Sequence, residues 1–409
     1  MLFATLLACH FALAAIVVYG MNQLALVPWR RTRDAHWTAR ARLLWPIRKT
    51  NGLLFFIFPA VLAAAQYSQF PEIPLAYLPA AVAGFAGVIL GMWPTAKAVF
   101  PNLALGRWLR NLAAVFVIRL MAVGVLIAAI FLMPNHLGWT AVGVTALVIA
   151  LNLGLVWGGA LWILRRMGVL IPAPPRLQEI VREIATRMDL PMPRVGLLRL
   201  YGANAIAFPL LNTLAVTEMA MDVLPDDELG AVCAHEFGHL SEPRGTVAML
   251  VLSTFTLLPA IFFKPATHAF GWAGYFGICA LLIVVSRLVR AFRRRMEQRA
   301  DSAAKTHEGP SPGVYARALE RLYELNQVPA VTPATLSHPS LYDRLIAAGV
   351  TPEYPRPAAP ARFTWQNAVA LGLVVAFITP VMNRWERDGR QKAHRPRQWS
   401  TEGRPMPAD

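Results

Sequence analysis

Eight stretches of this 409-residue chain are apolar over lengths near the ~20 residues that a helix needs to cross the hydrocarbon core of a bilayer. They lie near 2–27, 51–67, 75–94, 111–133, 139–164, 247–263, 270–290 and 363–383. The segments 51–67 and 247–263 are short and are expected to be tilted or partly re-entrant. Hydrophobic residues make up 56% of the chain and charged residues only 15%, and the apolar excess is concentrated in these runs. That distribution predicts a multi-pass integral membrane protein whose partner is the lipid bilayer.

The basic residues orient it. "RRTRDAHWTARARLLWPIRK", "KAVFPNLALGRWLR", "RRMGVL" and "RLVRAFRRR" flank alternate spans, whereas "QYSQFPEIP" and "MPNHLGW" contain no Lys or Arg. The positive-inside bias puts the N-terminus outside and residues 165–246 in the cytoplasm, with the inner (plasma) membrane as the host membrane in a bacterium. These flanks also account for the net charge of +16, and no nucleic-acid motif accompanies them, so nucleic acid is excluded as a partner. The first run lacks a basic n-region and reads as a retained helix rather than a cleaved signal, and its "LLAC" as a coincidence. If 363–383 crosses, the basic segment "RWERDGRQKAHRPRQW" lies outside, against the bias, so 361–383 reads as a last span or a re-entrant helix. Residues 384–409 read as a basic disordered tail. Arg119, within a span, is expected to snorkel, and Asn152 to join helices. Cys9, Cys233 and Cys279 are read as small core residues rather than a disulfide framework.

The chain is thereby divided into an N-terminal membrane domain of about five spans (1–164), a polar segment (165–246), a transmembrane hairpin (247–290) and a second polar segment (291–360). In the first polar segment, "RLQEIVREIATRM" carries Leu177, Ile180, Val181, Ile184 and Met188 at helical spacing, an amphipathic surface helix. "PRVGLLRL", "NAIAF" and "TLAVTEMAM" read as extended. A helix starts at "LPDDELGAV", where Pro225 suits the first turn and Asp226, Asp227 and Glu228 complement the helix N-terminus.

That helix carries "AVCAHEFGHL". His235 and His239 are one turn apart, so both rings can close on a single ion. Glu236 lies about 100° round the helix from His235. There it reaches a metal-bound water rather than the metal, as a general base should. Catalytic zinc needs a third protein ligand. A metzincin would place Gly at 242 and His at 245, but these positions hold Glu242 and Gly245. The charged run before the motif speaks against an intramembrane site. Glu242 reads as a solvated helix end and His268 falls on the opposite side of the membrane. His307, Glu308 and His338 lie in no evident helical ligand motif. Glu297, in "RRRMEQRADSAAK" just past the hairpin, is better placed, with Asp301 on the same helical face to fix a ligand imidazole through its other nitrogen. Without the histidine motif, the two acids would read as a charged interfacial helix pairing with Arg293–Arg295. Cys233 points away from the histidine face and reads as packing.

"NAIAF", "LPDDELGAVCAHEFGH", a membrane hairpin, "EQRAD" and "SHPSLYDR" follow one another in the order found in the HtpX and CAAX-prenyl-protease family of membrane zinc peptidases, which this chain resembles over roughly residues 175–346. The resemblance implies a mainly α, gluzincin-like peptidase domain with a small β-sheet, interrupted by the hairpin. It implies one Zn2+ per chain held by His235, His239 and Glu297, with Glu236 catalytic and Asp301 supporting a zinc histidine. It places His338 and Arg344 near the site, His338 for the oxyanion and Arg344 to order the helix of Glu297. It makes Asn204, Ala205, Ile206, Ala207 and Phe208 substrate contacts, through a strand along which an extended peptide can add. The expected activity is metalloendopeptidase cleavage of membrane or misfolded proteins. The alternatives are a prenyl-protein protease or a non-catalytic membrane scaffold, and a regulatory membrane partner stays open. Five spans before the catalytic segment, and a C-terminal span with a basic tail, depart from the family's compact members.

Overall fold

The computed structural model describes residues 2–70, 77–309, 312–332, 339–373, 375–376 and 379. Among these, six helical stretches are long and apolar enough to cross a membrane: Phe3–Arg31, Trp37–Gln66, Tyr77–Val99, Leu105–Ile130, Trp139–Arg166 and Arg244–Thr306. The difference from eight has a simple origin. The two runs of the expected hairpin fall within the single stretch Arg244–Thr306, and 363–383 extends beyond the described residues. Helices are the natural spanning form here because each satisfies its own backbone hydrogen bonds in lipid.

The chain divides into two units. One contains α1 (Leu2–Arg31), most of α2 (Trp37–Gln69), α3 (Tyr77–Val99) and the segment from Ala361. Its helices are joined by a buried polar cluster. Asn22 Nδ2 donates to Asn51 Oδ1 at 3.0 Å, Asn51 Nδ2 donates back to Asn22 Oδ1 at 2.9 Å, and the Thr95 hydroxyl donates to Asn22 Oδ1. Between apolar helices, such bonds fix register where hydrophobicity alone cannot. A Cβ on Gly87 would run into the Phe11 carbonyl oxygen, so α1 and α3 approach nearly backbone to backbone.

The other unit, residues 36–42 and 99–360, begins with α4 (Leu105–Val115), α5 (Met121–Leu132), α6 (Trp139–Gly154) and α7 (Ala160–Arg166). A π-helical turn, Phe116–Leu120, carries the exposed Arg119 between α4 and α5. Asn152 is buried and bonds the Val148 carbonyl of its own helix at 2.9 Å.

Next come β1 (Leu170–Pro172), α8 (Pro175–Arg187), β2 (Arg194–Leu198), β3 (Ala205–Phe208) and β4 (Thr213–Thr217). The strands form one mixed sheet in the order β1-β2-β4-β3, with β2 and β4 parallel and β3 antiparallel to β4. Strand β3 is therefore an edge. The α8 periodicity does bury Leu177, Ile180, Val181 and Ile184, with Met188 at its C-cap. "TLAVTEMAM" is only half extended. After Thr217 the chain turns into α9 (Glu218–Val223), because the Thr217 hydroxyl accepts from the Ala220 N–H and caps a helix there.

The site lies on α10 (Asp226–Leu240), whose residues Glu228–Gly238 are all buried. Then follow α11 (Arg244–Ser253), α12 (Phe263–Thr306), α13 (Val314–Leu325) and α14 (Leu341–Ala347). The hairpin is less regular than two spans: α11 ends at Ser253, a 3-10 turn covers Leu258–Phe262, and Gly271 (φ 57°, ψ −141°) breaks α12 near its start. Of the three cysteines only Cys233 is a core residue, whereas Cys9 is exposed and Cys279 half-buried.

Candidate active site

Two helices meet at the site. Gly238, between the two histidines on α10, permits this: a Cβ there would lie 2.8 Å from Cα of Ala300 on α12. With hydrogen in its place, the histidine face of α10 and the acidic face of α12 come together. The α10 N-terminus is anchored from outside as well, since buried Glu228 pairs with Arg321 of α13 at 2.8 Å.

The imidazoles of His235 and His239 have centroids 5.0 Å apart and lie at 89° to one another. His235 Nε2 is 3.6 Å, and His239 Nε2 3.7 Å, from Oε2 of Glu297. The three ligand atoms all lie within 4.8 Å of one another. Bonds of about 2.1 Å at tetrahedral angles set ligand atoms about 3.4 Å apart, so this donor set fits a zinc-sized ion. Glu236 is buried on the same helix.

Behind His235 stands a polar network. Its Nδ1 is 3.1 Å from Oδ1 of Asp301 and 2.8 Å from the hydroxyl of Tyr315. That hydroxyl donates to Asp301 Oδ1 at 2.7 Å. Arg344, from α14, donates to both carboxylate oxygens of Asp301 at 2.6 and 2.9 Å, and to the Tyr315 hydroxyl at 2.8 Å. Burial pulls the His235 pKa down, but the hydrogen bonds to Asp301 and Glu297 and the Glu236 charge outweigh it and raise the value to about 9. A bound metal must displace that proton. Burial likewise pushes the Tyr315 phenol well up, keeping it a neutral hydroxyl.

The structure thus brings His235, His239, Glu297, Asp301 and Arg344 together. Arg344 holds Asp301, one turn along α12 from Glu297, rather than touching Glu297 itself. His338 lies outside the described residues. Asn204–Phe208 carry the edge strand, whose neighbour in space is α10. The Asn204 main chain is occupied: its N–H donates to the Thr217 hydroxyl and its carbonyl accepts from the Thr217 N–H. By the alternation of an antiparallel ladder, Ile206 and Phe208 also bond inward, while Ala205, itself only 5% exposed, and Ala207 turn their N–H and C=O groups to the edge that pairs with no described strand.

Glu242 departs from expectation. It is no solvated helix end; its side chain is 2% exposed and receives a bidentate pair from Arg299 at 2.8–3.0 Å. The alternative of a charged interfacial helix pairing with Arg293–Arg295 does not describe Asp301, which pairs with Arg344, or Arg293, which bonds Ser253. Tyr315 carried no signal in the sequence. In "GVYARALERL" it reads as one more residue of an amphipathic core face, and it is indeed only 3% exposed.

Comparison with known proteins shows the family of the segment that contains these residues. Peptidase family M48 matches residues 173–349, which hold α8, the sheet edge and all five residues gathered above. The protease HtpX homologue of Salinibacter ruber is 30% identical over 227 residues, covering 52% of this chain and 81% of that protein. Protease HtpX of Pseudomonas aeruginosa is 30% identical over 207 residues, covering 42% and 70%. The HtpX homologue of Trichormus variabilis is 29% identical over 228 residues, covering 48% and 78%. With its membrane-length helices and its two-histidine, one-glutamate cluster, the chain belongs to the HtpX-type membrane zinc metallopeptidases of family M48.

Proposed function

We propose that the protein is a zinc-dependent metalloendopeptidase acting on membrane-associated or misfolded proteins. The observation that carries this reading is the convergence of His235, His239 and Glu297 from two helices at ligand spacing. Bound there, zinc would supply Lewis acidity to a scissile carbonyl and to a water.

The rest falls to the chain's own residues. Glu236, one position past the first ligand, takes the water's proton and passes it to the leaving amine. An extended peptide adds to the open edge of β3, bonding Ala205 and Ala207 through their backbones. That mode makes few demands on side chains, which suits a protease of broad substrate range. His338 is assigned to the oxyanion. Asp301 and Arg344 keep His235 in place.

The metal reading predicts about one zinc per purified chain, measured by elemental analysis. A strong chelator should abolish casein cleavage and stoichiometric zinc should restore it. Cleavage undiminished after complete zinc removal would overturn the proposal. Cleavage confined to prenylated peptides would instead identify a prenyl-protein protease.

The catalytic face is assigned to the cytoplasm of a bacterial inner membrane, on the arginine-rich flanks. In a variant with Cys9, Cys233 and Cys279 replaced by serine, a cysteine introduced at the exposed Glu179 of α8 should react with a membrane-impermeant maleimide only after inner-membrane permeabilisation. Labelling in spheroplasts with an intact inner membrane would reverse the orientation.

A further inference from the structure

We propose that Tyr315 is a positioning residue for the metal centre, its hydroxyl holding His235 with the proton on Nδ1 and so leaving Nε2 to bind the metal. The inference rests on the zinc reading above and deepens it.

Protons and lone pairs around the phenol decide the tautomer. The Tyr315 hydroxyl has three polar neighbours: Arg344 Nη2 at 2.8 Å, Asp301 Oδ1 at 2.7 Å and His235 Nδ1 at 2.8 Å. A phenol offers one proton and two lone pairs. Arg344 can only donate, so it occupies one lone pair. Asp301, held as a carboxylate by two bonds from Arg344, can only accept, and it takes the phenolic proton. One lone pair remains, and it faces His235 Nδ1. That contact is a hydrogen bond only if Nδ1 carries hydrogen.

The opposite tautomer leaves the network short of a proton. A bare Nδ1 would need the phenolic hydrogen for itself. Asp301 Oδ1 would then face the phenol oxygen at 2.7 Å and Nδ1 at 3.1 Å with no proton in either contact. The phenol and the guanidinium that crowd Asp301 Oδ1 are shielded from water: Tyr315 is 3% exposed and the Arg344 side chain 7%, against 21% for the Asp301 side chain as a whole. An unmade bond there is not recovered from solvent. The satisfied arrangement is therefore Nδ1–H, with Nε2 turned toward Glu297 and His239.

Asp301 alone would do this less well. It stands farther from Nδ1 than the phenol does, and Arg344 already shares its Oδ1. The Tyr315 ring also lies nearly parallel to His235, at 18° with centroids 5.8 Å apart, so ring packing and the hydroxyl restrict the imidazole together. Phenylalanine would keep the first restraint and remove the second.

The test is the metal affinity of the purified full-length Tyr315→Phe protein, measured by competition with a chromophoric chelator beside wild type and His235→Ala. Removing a residue that orients a ligand typically weakens metal binding about 10–100-fold, and the variant is expected to fall in that range while its metal-free form unfolds at the wild-type temperature. The cobalt-substituted variant should also show a shifted visible absorption band. An affinity within about twofold of wild type, well short of that range, overturns the inference. If His235→Ala loses zinc and Tyr315→Phe keeps it, only this inference falls; if His235→Ala also keeps zinc, the metal centre itself is misassigned. Should Tyr315→Phe not fold, 3-fluorotyrosine at 315 preserves shape while making the phenol a weaker acceptor. A weakened zinc affinity there supports the role, and an unchanged one overturns it.

Discussion

Glu236→Gln should retain its zinc and lose about three orders of magnitude in cleavage rate on casein or a model membrane protein, within the range that general acid–base catalysis contributes. Glutamine matches glutamate in shape but cannot take a proton from water, and the three candidate metal ligands are other residues. The loss corresponds to about 4 kcal/mol of transition-state stabilisation. The diagnostic result is zinc content at wild-type level together with lost turnover, measured on the same preparation. A variant cleaving within tenfold of wild type would remove Glu236 from the mechanism and attribute the activity to a contaminant or another base. That outcome would also revive the reading of the chain as a non-catalytic scaffold.

Replacing Glu297 by alanine is expected to act on the metal before the chemistry. If zinc binding of about 10–16 kcal/mol is shared by four ligands, each contributes roughly 3 kcal/mol, or about two orders of magnitude in affinity. Glu297→Ala should therefore purify largely zinc-free and inactive. Glu242→Gln is the matched control, since Glu242 is the first acid in sequence after the histidine motif. Its carboxylate is held by Arg299, so the variant should keep its metal even if it unfolds more readily. Full zinc in Glu297→Ala, or zinc lost only in Glu242→Gln, would move the third ligand to a different carboxylate.

The contrast between these two acids shows where reading the sequence stops. Both follow the histidine motif, both are glutamates, and their helical surroundings look equally charged. Order of motifs favoured Glu297, but nothing local indicated that Glu242 would be 2% exposed and clamped by an arginine 57 residues away. The same holds for the acidic start of α10. Glu228 was legible as a complement to the helix dipole, yet its pairing with Arg321 depends on how α13 packs. In "TLAVTEMAM" the extended reading failed at Thr217, where a side-chain cap outweighed the alternation of apolar residues.

What the sequence by itself determined is what a single helix or a single apolar run encodes. The i, i+4 spacing puts His235 and His239 on one face whatever surrounds them. The length and polarity of the apolar runs require a bilayer, and the α8 stripe declares its buried side. These are local properties, set by 3.6 residues per turn and by transfer free energy. Tertiary structure alone decided what stands opposite those faces. Contact between α10 and α12 at Gly238 and Ala300 puts Glu297 3.6–3.7 Å from both imidazoles. Packing of α13 places the Tyr315 hydroxyl against a histidine 80 residues away. Such distances are set by the shapes of several helices packed together, and a hydroxyl on an apolar helical stripe leaves no periodic trace of the partner it will meet.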